Sequence, residues 1–275
     1  MASKHGLLFG ALLCTLLASG CPTAETPADW VCYDSSGSVD SDVGASTAAL
    51  VFYRRFLWPE GRRAISVCWE DETWEGRDYG RFRALVREAV TEQWEKTLAT
   101  LEDGTAVPED LRVRFVGWVK CSEGFSDGIR IHVSDEVPST VLGFVVAAQP
   151  QGMILNFEFR RWEPTCLGPS GLADPFCVRS IAVHEFGHAL GFSHEQDRTD
   201  TPAHCADEAL RPGGDFYGGS WDLNSVLNYC SPAWNNDGQL SAQDARWSRI
   251  AYYPRYYPDL KCQPLATGGS ASSTP

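Results

Sequence analysis

The residues of this chain best able to do chemistry form one run, His184-Glu185-Phe186-Gly187-His188-Ala189-Leu190-Gly191-Phe192-Ser193-His194. On a helix, residues four apart share a face, so His184 and His188 can present two imidazoles to one ion. Glu185 points about 100° further round the helix. It is out of line as a ligand but within reach of a water near the same ion, which is the place of a general base. Gly191 allows the left-handed conformation that stops a helix and turns the chain, so that His194 can return to the same point. Three neutral nitrogen donors leave a fourth position open, the donor set of catalytic zinc. His132 and His204 have no partner at ligand spacing and are expected to be structural, while His5 belongs to the leader.

The run resembles the metzincin signature His-Glu-x-x-His-x-x-Gly-x-x-His at every fixed position. Glu195-Gln196-Asp197-Arg198 resembles the astacin branch, in which a glutamate follows the third histidine. Ser225-Val226-Leu227-Asn228-Tyr229 resembles the astacin Met-turn with its tyrosine two positions on. The resemblance extends from about Trp58 to Tyr253 and is tightest at the histidine motif. It implies a zinc (Zn2+) endopeptidase acting on protein or peptide, with His184, His188 and His194 as ligands and Glu185 as general base. Tyr229 then takes the role of a residue that ligates the metal at rest and swings to stabilise the transition state. The implied fold is α+β and zincin-like. A mixed twisted sheet and the active-site helix form an N-terminal lobe, and a smaller loop-rich C-terminal lobe carries a final helix.

Two positions depart from the pattern. Leu227 stands where the family has methionine; that side chain lies under the metal without ligating it, so a leucine can supply the same apolar floor. In the family, the glutamate after the third histidine is bonded to a buried amino terminus. Here either a further cut in the tether supplies one, or Glu195 pairs with an arginine such as Arg198. No segment resembles an inhibitory prosegment, and Cys32 is expected in a disulfide rather than on the metal. The alternative function is a surface-anchored, non-catalytic binding protein on the same scaffold, and a third is amide hydrolysis on cell-wall peptide.

The elements that must position the run follow from periodicity. Ala64 to Glu70 alternates as a strand, and Arg112 to Trp118 and Gly128 to Val133 read as two more. Arg81 to Leu98 places Phe82, Leu85, Val86, Ala89, Val90, Trp94 and Leu98 at helical spacing. Strand, helix, strand implies a crossover in a mainly parallel sheet. Met153 to Phe159 alternates again, either as an exposed edge strand that holds peptide by β-augmentation or as a buried strand. The active helix spans about Arg179 to Leu190. A final helix, Ser241 to Tyr252, has Ser241 as N-cap and Asp244 at N3.

At the amino end, Lys4 precedes an apolar run from Gly6 to Leu17, 12 residues long, too short to span a bilayer but suited to a signal peptide. Leu17-Ala18-Ser19-Gly20-Cys21 resembles a bacterial lipobox. That resemblance implies export, lipidation of Cys21 and membrane anchoring, with Pro22 in place of aspartate directing the chain to the outer membrane. Ordinary cleavage near Gly20 is the other reading. The expected organisation is signal peptide 1–20, tether 21–56, catalytic domain 57–262 and polar tail 263–275, acting as a monomer. A formal charge of −13 gives no basic footprint for nucleic acid. Ten cysteines indicate an oxidising compartment. Setting aside Cys14 and Cys21 leaves eight, expected as Cys68–Cys121, Cys166–Cys177, Cys205–Cys230 and Cys32–Cys262. Parallel neighbouring strands bring the first pair together, a short loop the second, and proximity and elimination the others.

Overall fold

The computed structural model describes residues 30–33, 50–70, 73–74, 77–168, 171–206 and 214–264. Residues 1–29 with the leader and Cys21, residues 34–49 of the tether and the tail from 265 lie outside the described residues. Among the described residues no helix is long and apolar enough to cross a membrane.

The strands in chain order are β1 (Trp30–Tyr33), β2 (Val51–Phe52), β3 (Ala64–Trp69), β4 (Thr73–Trp74), β5 (Arg77–Asp78), β6 (Arg114–Lys120), β7 (Ile129–Val133), β8 (Ser139–Thr140), β9 (Met153–Leu155), β10 (Phe216–Gly218) and β11 (Lys261–Pro264). The central sheet has the order β6-β3-β7-β9-β8. Its first three pairings are parallel, and β8 alone runs antiparallel, against β9. A second sheet, β11-β1-β10-β2, gathers the first and last of the described strands. β1 thus arises within the stretch that composition marks as tether.

The α+β class and the mainly parallel sheet expected from sequence are present. Helix α1 (Gly80–Val90) continues through a π turn (Thr91–Glu95) into the short α2 (Lys96–Leu98). Its expected apolar face is buried: Val86, Ala89, Val90, Trp94 and Leu98 are fully enclosed. Each large apolar side chain so buried contributes roughly 1.5–3 kcal/mol. Trp94 also donates its indole N–H to the Val183 carbonyl, at 2.8 Å, on the active-site helix. That helix, α3 (Pro175–Ala189), begins on an Asp174 cap, with Pro175 where a missing N–H costs nothing. It is buried on all sides, as expected for a helix through the centre of a domain. Helix α4 (Ala242–Tyr252) starts on the expected capping box of Ser241 and Asp244.

Two expectations are corrected. The alternating stretch Met153 to Phe159 is neither an edge nor wholly a strand. Only Met153–Leu155 is extended, and it is paired on both sides, so the edge is β8. Phe157 and Phe159 are buried in the following loop, their alternation serving the core rather than a ladder. Order also begins before Leu57. Leu50, Val51 and Phe52 are buried, and Phe52 stacks on Phe216 at 4.5 Å. A two-residue strand is too short to show a period.

Three expected disulfides are formed, Cys68–Cys121, Cys166–Cys177 and Cys205–Cys230. Cys32 and Cys262 are direct register partners between β1 and β11.

Candidate active site

Gly191 ends α3 at φ 102°, a conformation other residues rarely adopt. A Cβ there would also press on the Phe56 carbonyl at 3.2 Å. Two aromatic donors hold the helix end: Trp58 Nε1 donates to Ala189 O at 2.8 Å and the Tyr252 hydroxyl to Leu190 O at 2.7 Å. Beyond the turn, Ser193 N donates to Val51 O and Glu195 N to Leu227 O, at 2.8 and 3.0 Å. His194 is therefore suspended between β2 and the turn at 225–227, and so is carried back over α3.

The Nε2 atoms of His184, His188 and His194 converge in a triangle with sides of 3.0, 3.1 and 3.3 Å. Nδ1 of His184 donates to Val226 O at 2.9 Å and Nδ1 of His188 to Phe192 O at 2.7 Å. A carbonyl accepts only, so these bonds fix the proton on Nδ1 and leave the Nε2 lone pairs facing inward. The His194 Nδ1 lies 3.7 Å from Asp197 Oδ2. Burial, with His194 adding to it, holds His184 down to about 3, and burial also keeps His188 well below its ordinary range.

The inward Nε2 lone pairs of His184 and His188, with His194 Nε2 within 3.3 Å of both, make a cluster of nitrogen donors that a cation would hold together. A tetrahedral ion at ~2.0–2.1 Å from each nitrogen needs them ~3.3–3.4 Å apart, close to the triangle found. The three histidines also form the one group of metal-donor residues of this kind among the described residues. The donor set fits a divalent metal with an open position.

The triad opens into a cavity of about 890 Å³, which Glu185, Thr140, Tyr229 and Asp197 also line. Glu185 is buried at 4% exposure, and its Oε2 accepts from the Thr140 hydroxyl at 2.8 Å. Burial pushes its carboxyl up to about 8, opposed by that bond; a nearby cation would oppose it too. Tyr229 is half-exposed and stacks on His184, ring centroids 5.5 Å apart, with the His194 ring at 4.4 Å. Burial and the charges of Glu185 and Asp197 raise its phenol, so it is neutral. Gln196 Oε1 accepts from Tyr229 N at 3.1 Å and sets the place of that backbone.

Leu227 is fully buried beneath α3. A Cβ on Gly187 would meet Leu227 Cδ2 and Trp94 Cζ2 at 3.0 Å each, so leucine fills the floor against the helix. Glu195 finds Arg198, Nε to Oε1 at 3.4 Å, both enclosed, and also accepts from Asp222 N at 2.8 Å. Arg198 further donates to both oxygens of Asp200.

All five site residues expected from sequence lie together. His132 lies instead beside Glu70, and His204 against Trp221, away from the triad. Sequence reasoning missed Thr140, Gln196 and the carbonyls of Val226 and Phe192. Thr140 is 45 residues from Glu185 in the chain and has no motif to mark it.

A helix carrying two imidazoles, a glycine turn and a third imidazole returned to the same point form an arrangement similar to the metzincin signature. The chain's particular likeness is to astacins. The model of the astacin peptidase family matches residues 174–208. The "Zinc metalloproteinase nas-2" of Caenorhabditis elegans is 34% identical over 88 residues, 29% of this chain and 27% of that protein. The chain therefore spans about a quarter of that relative's length. Among solved structures, myroilysin aligns at TM-score 0.47 and 18% identity, over 74% of this chain and 98% of that one. The hatching enzyme HCE-1 of Oryzias latipes aligns at TM-score 0.41 and 16% identity, over 75% and 98%. The segment matched by the astacin model contains all three histidines of the triad and Glu185.

Proposed function

We propose that the chain is a zinc-dependent endopeptidase that hydrolyses peptide bonds in protein or peptide substrates, with His184, His188 and His194 holding the metal. The observation that carries this reading is the convergence of three inward Nε2 atoms with a buried carboxylate in one open cleft. A zinc ion held there supplies Lewis acidity, polarising the scissile carbonyl and acidifying the attacking water. Glu185 takes the proton from that water and hands it to the leaving amine. The neutral Tyr229 phenol donates to the oxygen on which charge develops. Substrate lies extended along the free edge of β8, its backbone pairing with the strand. The hydrogen bonds from Nδ1 of His184 and His188 to their carbonyls keep both rings in the ligating tautomer.

Purified protein should contain one zinc and cleave an unstructured protein, with the activity lost to chelator and restored by zinc. Glu185→Gln should keep metal and fold while turnover falls about 10²–10⁴-fold, the usual weight of a general base. His188→Ala should lose the metal. Tyr229→Phe should lower kcat by about 10²-fold, as loss of one oxyanion donor does. Elemental analysis and peptide turnover read all four; zinc retained in His188→Ala would remove the ligand assignment. Testing peptidoglycan fragments beside protein separates cell-wall amide hydrolysis.

The reading extends to location. The chain is exported, lipidated at Cys21 after the leader 1–20, and anchored as a monomer at the outer membrane. The support is the lipobox-like Leu17 to Cys21 run with Pro22 after it. Cys21→Ala should abolish lipid labelling; unchanged labelling rejects the anchor.

A further inference from the structure

Glu185 is a long side chain that must present one oxygen to a small target, so something has to hold its carboxylate still. The partner the structure provides is Thr140, whose hydroxyl donates to Oε2 at 2.8 Å. A hydroxyl bonded to a carboxylate is charge-assisted and directional. With Oε2 engaged, Oε1 is the oxygen left to take a proton.

Thr140 is itself rigidly placed. It sits on β8 in register with Met153, a fully buried residue of β9, and Ser139 is in register with Ile154. The next residue, Val141, donates its N–H to Gly152 O at 2.9 Å. Two residues on, Gly143 at φ 60° lets the chain pass so close to Phe56 that a Cβ would collide with its carbonyl oxygen. The strand is thus pinned beyond its end as well as along its length. A β-branched side chain restricts χ1, so a fixed backbone means a fixed hydroxyl.

β8 is also one edge of the central sheet, unpaired on its outer side among the described residues, and it lines the cleft with Glu185 and two of the three histidines, His188 and His194. One short strand therefore faces the substrate backbone with its edge and the general base with a side chain. We infer that Thr140 is a positioning residue: its hydroxyl aligns the Glu185 carboxylate from the strand that receives the peptide, so that substrate docking and base alignment share one element. This rests on the endopeptidase reading.

The test compares wild type with Thr140→Val, which keeps shape and loses the hydroxyl, and Thr140→Ser, which keeps the hydroxyl and loses the methyl. Steady-state cleavage of one extended peptide should show kcat lowered roughly tenfold in Thr140→Val, the weight of one hydrogen bond. KM should stay within about twofold, and Thr140→Ser should recover most of the rate. Metal content should be the same in all three. Crystal structures of the metal-free proteins give a readout independent of turnover. Glu185 should leave its wild-type position in Thr140→Val and keep it in Thr140→Ser. An unchanged kcat, a loss confined to KM, a serine variant as slow as the valine one, or Glu185 in place in Thr140→Val would each overturn the role. If wild type cleaves nothing, the endopeptidase reading fails, and the metal-free structures still decide whether Thr140 aligns Glu185.

Discussion

Leu227 shows how much a single side chain under the site has to do. Its side chain lies with Trp94 against Gly187 of α3, and its backbone carbonyl accepts from Glu195 N. Its demand is for apolar volume, so Leu227→Met should cost less than about 1.5 kcal/mol and leave metal content and turnover near wild type. Leu227→Asp buries an unpaired carboxylate on that surface and should lose fold, metal and activity together. Thermal midpoint, zinc content and rate across the three proteins check both outcomes. A large gain with methionine would show that leucine weakens the site, and would favour the binding-protein alternative.

At the scale of elements, α4 matters through its first turn. The Asp244 carboxylate closes the capping box, and it also accepts from the Ser225 hydroxyl at 2.7 Å and from Val226 N at 2.8 Å. Val226 in turn offers its carbonyl to His184 Nδ1. The amino end of a helix thereby braces the turn that orients His184. Burial raises the Asp244 carboxyl from its ordinary 3.8 to about 7, against these hydrogen bonds, with Asp222 adding to the rise. A carboxyl whose folded pKa is raised binds its proton more tightly in the fold, so its stabilising contribution is full at low pH and lost as pH rises. Wild type should therefore lose stability relative to Asp244→Asn between about pH 4 and 7. Denaturant titrations of both proteins across that range measure it; a difference growing with pH would mean the carboxylate is ionised in the fold. At neutral pH, Asp244→Asn should still destabilise by about 1–3 kcal/mol, since an amide cannot accept from all these donors.

On the scale of the molecule, the first and last of the described strands meet in one sheet. β1 lies between β10 and β11, and β10 pairs in turn with β2, which holds Ser193 beside His194. Cys32 opposite Cys262 is the backbone relation that a cross-strand bridge requires. Non-reducing peptide mapping should recover a Cys32–Cys262 peptide, and Cys32→Ser with Cys262→Ser should lower stability by about 2–4 kcal/mol, because the loop it closes is long. Free thiols at both positions in the unreduced protein would refute the pair.

The histidine cluster was legible in sequence because its parts are local. Helical period puts His184 and His188 on one face, a glycine reverses the chain, and His194 follows within three residues, so spacing alone carries the geometry. The buried face of α1, the capping box of α4 and Cys166–Cys177 were legible for the same kind of reason, as a period, a cap and a short separation, and Cys68–Cys121, 53 residues apart, through the parallel pairing of neighbouring strands. The mainly parallel sheet was legible too, through the strand-helix-strand order, and the fold class through the resemblance that the histidine run carries. What tertiary structure alone decided are the contacts between distant segments. Alternation from Met153 to Phe159 could not say whether the strand was inner or edge, because burial on a second face depends on whether β8 pairs with it. Glu195 is the local exception: sequence left its partner between an amino terminus and an arginine, and Arg198, only three residues on, is the one it meets. Thr140 and Asp244 act on Glu185 and on the turn beside His184 across gaps of 45 and 18 residues. No period links such positions; only the packing of one element on another brings them within a hydrogen bond.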